Sequence, residues 1–105
     1  MTNISRDIFK AIHEGKWLQL EYRNKQAEIT HYWFAIENID ITKHMLVGSG
    51  LHLAKYTVQK DMRIYVSEIL STQIVDGTYM PTNFNLLEDI KINSEKYDFI
   101  FSKTR

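Results

Sequence analysis

Hydrophobic positions near the start of the chain recur with a helical period. Ile8 and Ile12 fall on one helical face, and Gly15 stands where a left-handed C-terminal cap is expected. Ser5 precedes the apolar positions and is a residue type that caps helix N-termini. The pattern therefore predicts an amphipathic helix over residues 5–14.

Beyond Gly15 the apolar period changes to two, which is typical of β-strands. The alternating apolar residues of the first strand are Leu18, Leu20 and Tyr22. A second strand is predicted over residues 28–39, which are rich in aromatic and β-branched side chains. A third strand begins at Met45, and Gly48 and Gly50 permit the bend or bulge with which a small sheet curls.

The second half of the sheet region is less clearly patterned. Residues 56–66 leave two interpretations open, one bulged strand or a strand followed by a loop. Residues 71–75 form the last predicted strand, which an Asp-Gly turn ends. Asn85 and Glu88 have the spacing of a capping box, so a helix is predicted to follow.

The C-terminal segment carries two apolar groups. The first group is expected to pack on the sheet and consists of Leu86, Leu87 and Ile90. The second group has no evident cover within the chain and consists of Tyr97, Ile100 and Phe101. An uncovered apolar stripe favours self-association through this helix, or a longer polypeptide whose other parts cover it.

Together these elements predict a mainly β fold with flanking helices. A chain of 105 residues fits a single domain with a modest core. We expect a small open β-barrel of about five antiparallel strands. Its predicted parts are an N-terminal helix at 5–14, the barrel at 16–84 and a C-terminal helical extension or linker at 85–105.

Composition narrows the function classes. Apolar residues make up 44% and charged residues 25% of the chain, which is ordinary for a globular domain. Thirteen basic residues balance thirteen acidic ones, so nucleic-acid contact would need a local basic patch. There is no cysteine, no apolar run of roughly 18 residues and no signal-peptide pattern. We therefore expect a cytoplasmic protein with no membrane contact.

No motif for catalysis or metal binding is found in the sequence. The four histidines lack ligand spacing and are His13, His31, His44 and His52. The serines lie in no nucleophile elbow, and the Gly-Ser-Gly stretch lacks the helix that would complete a phosphate loop. The sequence therefore predicts a non-enzymatic protein with no cofactor and no metal.

Aromatic and basic residues lie together on two strands joined by a short turn. They are Tyr22, Arg23, Lys25, His31, Tyr32 and Trp33. Such a surface can stack bases and neutralise phosphates. The alternative is that Tyr22 and two of the other aromatic residues are core and that the cations only solubilise the turn. A second basic cluster consists of Lys43, His44, His52, Lys55, Lys60 and Arg63.

The order and spacing of residues 11–84 resemble the WYL domain of bacterial regulators and nucleic-acid enzymes. The matching positions are Ala11-Ile12, Leu20, Tyr22-Arg23, Leu46, Val66, Ile69, Pro81 and Phe84. The naming tripeptide of the family reads His44-Met45-Leu46 here. Ala35 and Glu68 replace a proline and an arginine of the family pattern, and Arg63 lies one position from a second arginine.

The resemblance to WYL domains implies a fold and a function. It implies a small Sm-like β-barrel that senses single-stranded nucleic acid or nucleotides and regulates an attached domain. The attached partners that it implies are helicase or regulator domains after Arg105. The ligand-binding residues are then expected to be Tyr22, Arg23, Trp33, His44 and Arg63. The alternative from another class is a structural or protein-interaction barrel that mediates self-association or domain docking, which zero net charge and the altered tripeptide favour.

Overall fold

The computed structural model describes residues 3–102 and shows one antiparallel sheet with helices at both ends of the chain. In chain order the elements are α1 (Ile4–Glu14), β1 (Trp17–Arg23), β2 (Ile29–Asp40), β3 (Met45–His52), β4 (Thr57–Tyr65), a 3₁₀ helix (Val66–Glu68), β5 (Ile69–Val75), α2 (Phe84–Ile92), a second 3₁₀ helix (Ser94–Tyr97) and α3 (Asp98–Phe101). Residues 103–105 of the predicted C-terminal extension lie outside the described residues.

The five strands form a single sheet in the order β4-β3-β2-β1-β5. The first four strands follow one another as a meander, and β5 returns to pair with β1 on its free side. Because β4 and β5 are both edge strands, the sheet remains open. The predicted fold class, a mainly β fold with an open sheet of five antiparallel strands and flanking helices, is confirmed. No helix within residues 3–102 is long and apolar enough to cross a membrane.

Helix α1 packs mainly on β5, and its ends are fixed by two different caps. Asn3, not the predicted Ser5, is the N-cap, because its side-chain oxygen accepts the Arg6 backbone N–H at 2.9 Å. Ser5 is instead buried and donates its hydroxyl to the Ile100 carbonyl. The predicted cap at Gly15 is confirmed, with a left-handed φ of 67°.

The predicted glycines lie where strands approach closely and the register shifts in the middle of the sheet. A Cβ on Gly48 would lie 1.8 Å from the Ala35 carbonyl oxygen, so only glycine fits between β2 and β3 there. The register shifts beside Gly48 against both neighbouring strands. Asp61 adopts a φ of 55° near the shift in β4. Of the two interpretations of residues 56–66, the structure shows the bulged strand.

The C-terminal segment is covered by the chain's own core. Tyr97 and Ile100 are 2% and 0% exposed, so the expectation that they have no cover within the chain is wrong, whereas Phe101 is 43% exposed. The segment folds back against α1, where Phe101 meets Phe9 with ring centroids 4.7 Å apart. The fold-back could not be read from the local pattern, since it joins residues about ninety positions apart in sequence.

Helix α2 begins two residues before its predicted start. The side-chain oxygen of Asn83 accepts the Leu86 backbone N–H at 3.0 Å, so Asn83 and not Asn85 is the N-cap. Leu86 is buried, and Leu87 and Ile90 are partly buried against the core, which confirms the predicted packing of this helix.

Candidate functional site

Strand alternation separates the five residues that were predicted to bind a ligand. Tyr22 lies on the core face of β1 and is 9% exposed, whereas its neighbour Arg23 is exposed on the outer face. Arg63 is exposed on β4, and His44 is exposed in the turn between β2 and β3. Trp33 is half-buried in β2. The five side chains therefore do not form one continuous surface.

The Tyr22 side chain, on the core face of β1, forms a hydrogen bond with the backbone of Tyr65 at the end of β4. Burial is the largest cause that raises the pKa of Tyr22 above its usual value, and the negative charge of Glu68 acts in the same direction. A hydrogen bond from the Tyr65 backbone acts in the opposite direction. The Tyr22 hydroxyl is therefore uncharged at neutral pH, and its contact with Tyr65 is a hydrogen bond to the backbone.

Both predicted arginines are paired with carboxylates. Arg23 Nη1 lies 3.4 Å from Glu68 Oε2, and Arg63 Nη1 lies 3.1 Å from Asp40 Oδ2. Since both arginine side chains are about half exposed, each pair contributes at most about 1 kcal/mol. An incoming anion must compete with these carboxylates for either arginine.

His44 ends the turn that Asp40 begins. The Asp40 carboxylate accepts the Lys43 backbone N–H at 3.0 Å, and His44 adopts a left-handed φ of 57°. The carbonyl of His44 accepts the Val66 backbone N–H at 3.1 Å, which ties the turn to the first 3₁₀ helix. The His44 ring stacks on Phe99 of α3, with centroids 4.3 Å apart and planes 6° from parallel. His44 remains exposed.

A cavity of about 470 Å³ opens beside this ring pair, and we call it the corner pocket. It is lined by Lys43, His44, Tyr65, Val66, Ser67, Phe99 and Ser102. The lining combines one lysine and one histidine with three hydroxyl groups, and no acidic residue of the described chain lines it. The Ser102 hydroxyl already donates to the Phe99 carbonyl at 3.0 Å. A cation, hydroxyl groups and stacked rings are groups that hold a phosphate and a base.

Trp33 stands apart from the corner pocket. It pairs with Leu51 on β3, and its indole Nε1 donates to Gln19 Oε1 at 3.1 Å. Trp33 and Asp40, where the His44 turn begins, are seven positions apart along β2. At about 3.3 Å per residue, that separation is roughly 20 Å. Trp33 and His44 therefore cannot stack on the same base.

The structure assembles the corner pocket from residues that the sequence analysis treated separately. Lys43 was noted only within a broad basic cluster, His44 was a predicted ligand-binding residue, and Phe99 was not identified as a site residue. The stacking of His44 on Phe99 joins positions 55 residues apart, and Phe99 lies in no motif. The sequence pointed toward this corner through His44, which was a predicted ligand-binding residue, and through Lys43 beside it.

Neither a metal-binding arrangement nor a match to a known family assigns a function to this site. Within residues 3–102, no group of three or more histidine, aspartate or glutamate side chains is arranged to hold a metal ion. Comparisons of the chain with protein-family models, curated proteins and solved structures gave no significant match. The resemblance to WYL domains therefore remains a resemblance, and the site's own geometry carries the argument for function.

Proposed function

We propose that this domain is a non-enzymatic, regulatory ligand-binding module whose corner pocket binds single-stranded nucleic acid or a nucleotide for an attached domain. The shared ligand chemistry is a base that carries a phosphate. The observation that carries the proposal is that Lys43 and the stacked pair of His44 and Phe99 line one cavity with three hydroxyl groups. Lys43 would neutralise the phosphate, and a base would stack against His44.

The corner pocket is lined by residues of two parts of the chain, so a bound ligand would contact both. Phe99 and Ser102 belong to α3 and the residue after it, whereas Tyr65 and Ser67 belong to the sheet region. A ligand in the pocket would contact both and hold them together. Such a contact would favour the docked position of the C-terminal segment, because a ligand shifts an equilibrium toward the state that it binds better.

The test is a titration of a labelled ten-nucleotide oligothymidylate with the full chain at low salt, followed by fluorescence anisotropy. Lys43→Gln should weaken binding and should reduce the salt-dependence slope by about 0.7, the value for one phosphate contact on a single strand. Lys91→Gln is the matched control, since Lys91 is exposed on α2 and does not line the pocket. Competition with ATP separates a nucleotide ligand from a strand ligand.

His44→Asn tests the stacking contact without straining the backbone, because asparagine adopts the left-handed conformation more readily than most residues. It should weaken binding by about 1 kcal/mol or more, the range for a base stacked on an aromatic ring. Trp33→Phe should leave affinity unchanged. If the chain fails to bind at tens of micromolar, roughly the range of nonspecific DNA binding, the proposal is refuted.

A further inference from the structure

A second concave surface lies between the outer face of the sheet and the segment 76–83. Its cavity is about 520 Å³, and it shares no lining residue with the corner pocket. We call it the aromatic groove. It is lined by Trp17, Ala35, Glu37, Ser49, Val58, Tyr79, Met80, Pro81, Thr82 and Asn83. Its size is within the range of sites that enclose a ligand or a few side chains.

Hydrogen bonds fix one wall of the groove in place. The indole Nε1 of Trp17 donates to the Tyr79 carbonyl at 3.3 Å, and the Trp17 backbone N–H donates to Thr78 Oγ1 at 3.0 Å. Farther along, Asn83 Nδ2 donates to the Glu37 carbonyl at 2.8 Å. The segment that carries Tyr79 is therefore bonded to two strands of the sheet, and the groove exists before any ligand arrives.

Exposed rings and one carboxylate set the chemistry of the groove. Tyr79 is 78% exposed and Val58 is 63% exposed, although both lie beside a formed cavity. Glu37 is the only charged residue among the lining residues, and its side chain accepts the Ser49 hydroxyl at 3.3 Å. Within residues 3–102 it has no ion pair.

This combination favours a cationic occupant. An anion would be repelled by Glu37, and an apolar occupant would strip water from its carboxylate without replacing the lost interaction. An ammonium group gains from the carboxylate and from the faces of Trp17 and Tyr79. A four-carbon stem would lie along Val58 and Pro81, as lysine stems do on apolar surfaces.

We propose that the aromatic groove binds a lysine side chain presented by a peptide segment of a partner protein. A peptide is favoured over a free amine because about 520 Å³ is more space than one lysine side chain fills. The groove also extends to Val58 on β4, an edge strand, where an extended chain can continue beyond the lysine. The proposal concerns a different surface from the corner pocket and does not depend on it.

The test is a titration of the ¹⁵N-labelled full chain with the acetylated, amidated peptide Ala-Lys-Ala, followed by NMR. The chain has two tryptophans: Trp17 lines the groove, whereas Trp33, which pairs with Gln19, lies on the same face of the sheet but outside the groove lining. The Trp17 signal should shift and saturate, and its shift should exceed that of the Trp33 signal, because only Trp17 lines the groove. A Trp33→Phe variant assigns the two signals.

Variants and ligand analogues separate the contributions. Glu37→Gln should weaken binding roughly fivefold, the upper end for an ion pair at an exposed site, and the backbone bond to Asn83 is unaffected. Tyr79→Ala should weaken it by a similar factor. The matched controls are Glu88→Gln and Tyr56→Ala, since both residues are exposed and lie outside the groove, and neither should change affinity.

Three results would overturn the proposal. The first is equal binding of the same peptide with Nε-acetyllysine, which keeps the stem and removes the charge. The second is unchanged affinity in Glu37→Gln, with a fold confirmed by circular dichroism. The third is binding of n-butylamine as strong as that of the peptide, which would assign the groove to free amines.

Discussion

Replacing Ile100 by alanine tests whether the C-terminal segment belongs to the core. Ile100 is 0% exposed and lies where the segment meets α1, so Ile100→Ala removes methyl and methylene groups from a packed interior. Changes of this kind cost about 2–5 kcal/mol. Ile92→Ala is the matched control, because Ile92 belongs to the same C-terminal region but is 66% exposed. Surface changes remain within about 0.5 kcal/mol.

Urea denaturation followed by far-ultraviolet circular dichroism measures both changes. A domain of about this size gains roughly 5–15 kcal/mol from folding, so Ile100→Ala should remove a large part of that stability. In a thermal melt, Ile100→Ala should lower the melting temperature by at least about 8 °C, whereas Ile92→Ala should shift it by only a few degrees. The slope of the unfolding free energy against urea concentration should be the same in the two variants and in the parent. Equal losses in the two variants would refute the placement of the C-terminal segment in the core.

Two further predictions concern the sheet and the C-terminal segment. Gly48→Ala should destabilise the protein by about 1–3 kcal/mol or more, because its Cβ would lie 1.8 Å from the Ala35 carbonyl oxygen. Gly77→Ala should cost only about 1 kcal/mol for its φ of 81°, since its Cβ would meet nothing within 4 Å, and equal losses in urea melts would contradict this ranking. Burial, together with the Asp89 carboxylate, raises the pKa of Tyr97 to about 12 from an unfolded value near 10. Tyr97 therefore stabilises the fold below pH 10 and loses that contribution as the pH rises toward 12, and Tyr97→Phe should show a smaller loss of stability between pH 9 and 11.

The sequence specified those parts of the fold that depend on local periodicity. The alternation of Leu18 and Leu20, and the glycines at 48 and 50, predicted the strands and the bend because each acts within a few residues. The docking of Tyr97 and Ile100 was missed, since their apolar stripe indicates burial but not the partner that buries it. The corner pocket was missed for the same reason, because His44 and Phe99 meet only after this docking.

The zero net charge of the chain does not exclude cavities that each carry a charge. The two arginines of the predicted site are largely neutralised, Arg23 by Glu68 and Arg63 by Asp40, and such pairs add nothing to the net charge. Lys43 and Glu37 have no ion pair within residues 3–102, and they also cancel in the total. They nevertheless line different cavities, so one cavity gains a positive charge and the other a negative charge. Because screening in physiological salt acts over about 8 Å, a ligand responds to the charge of the cavity it enters more than to the sum over the chain.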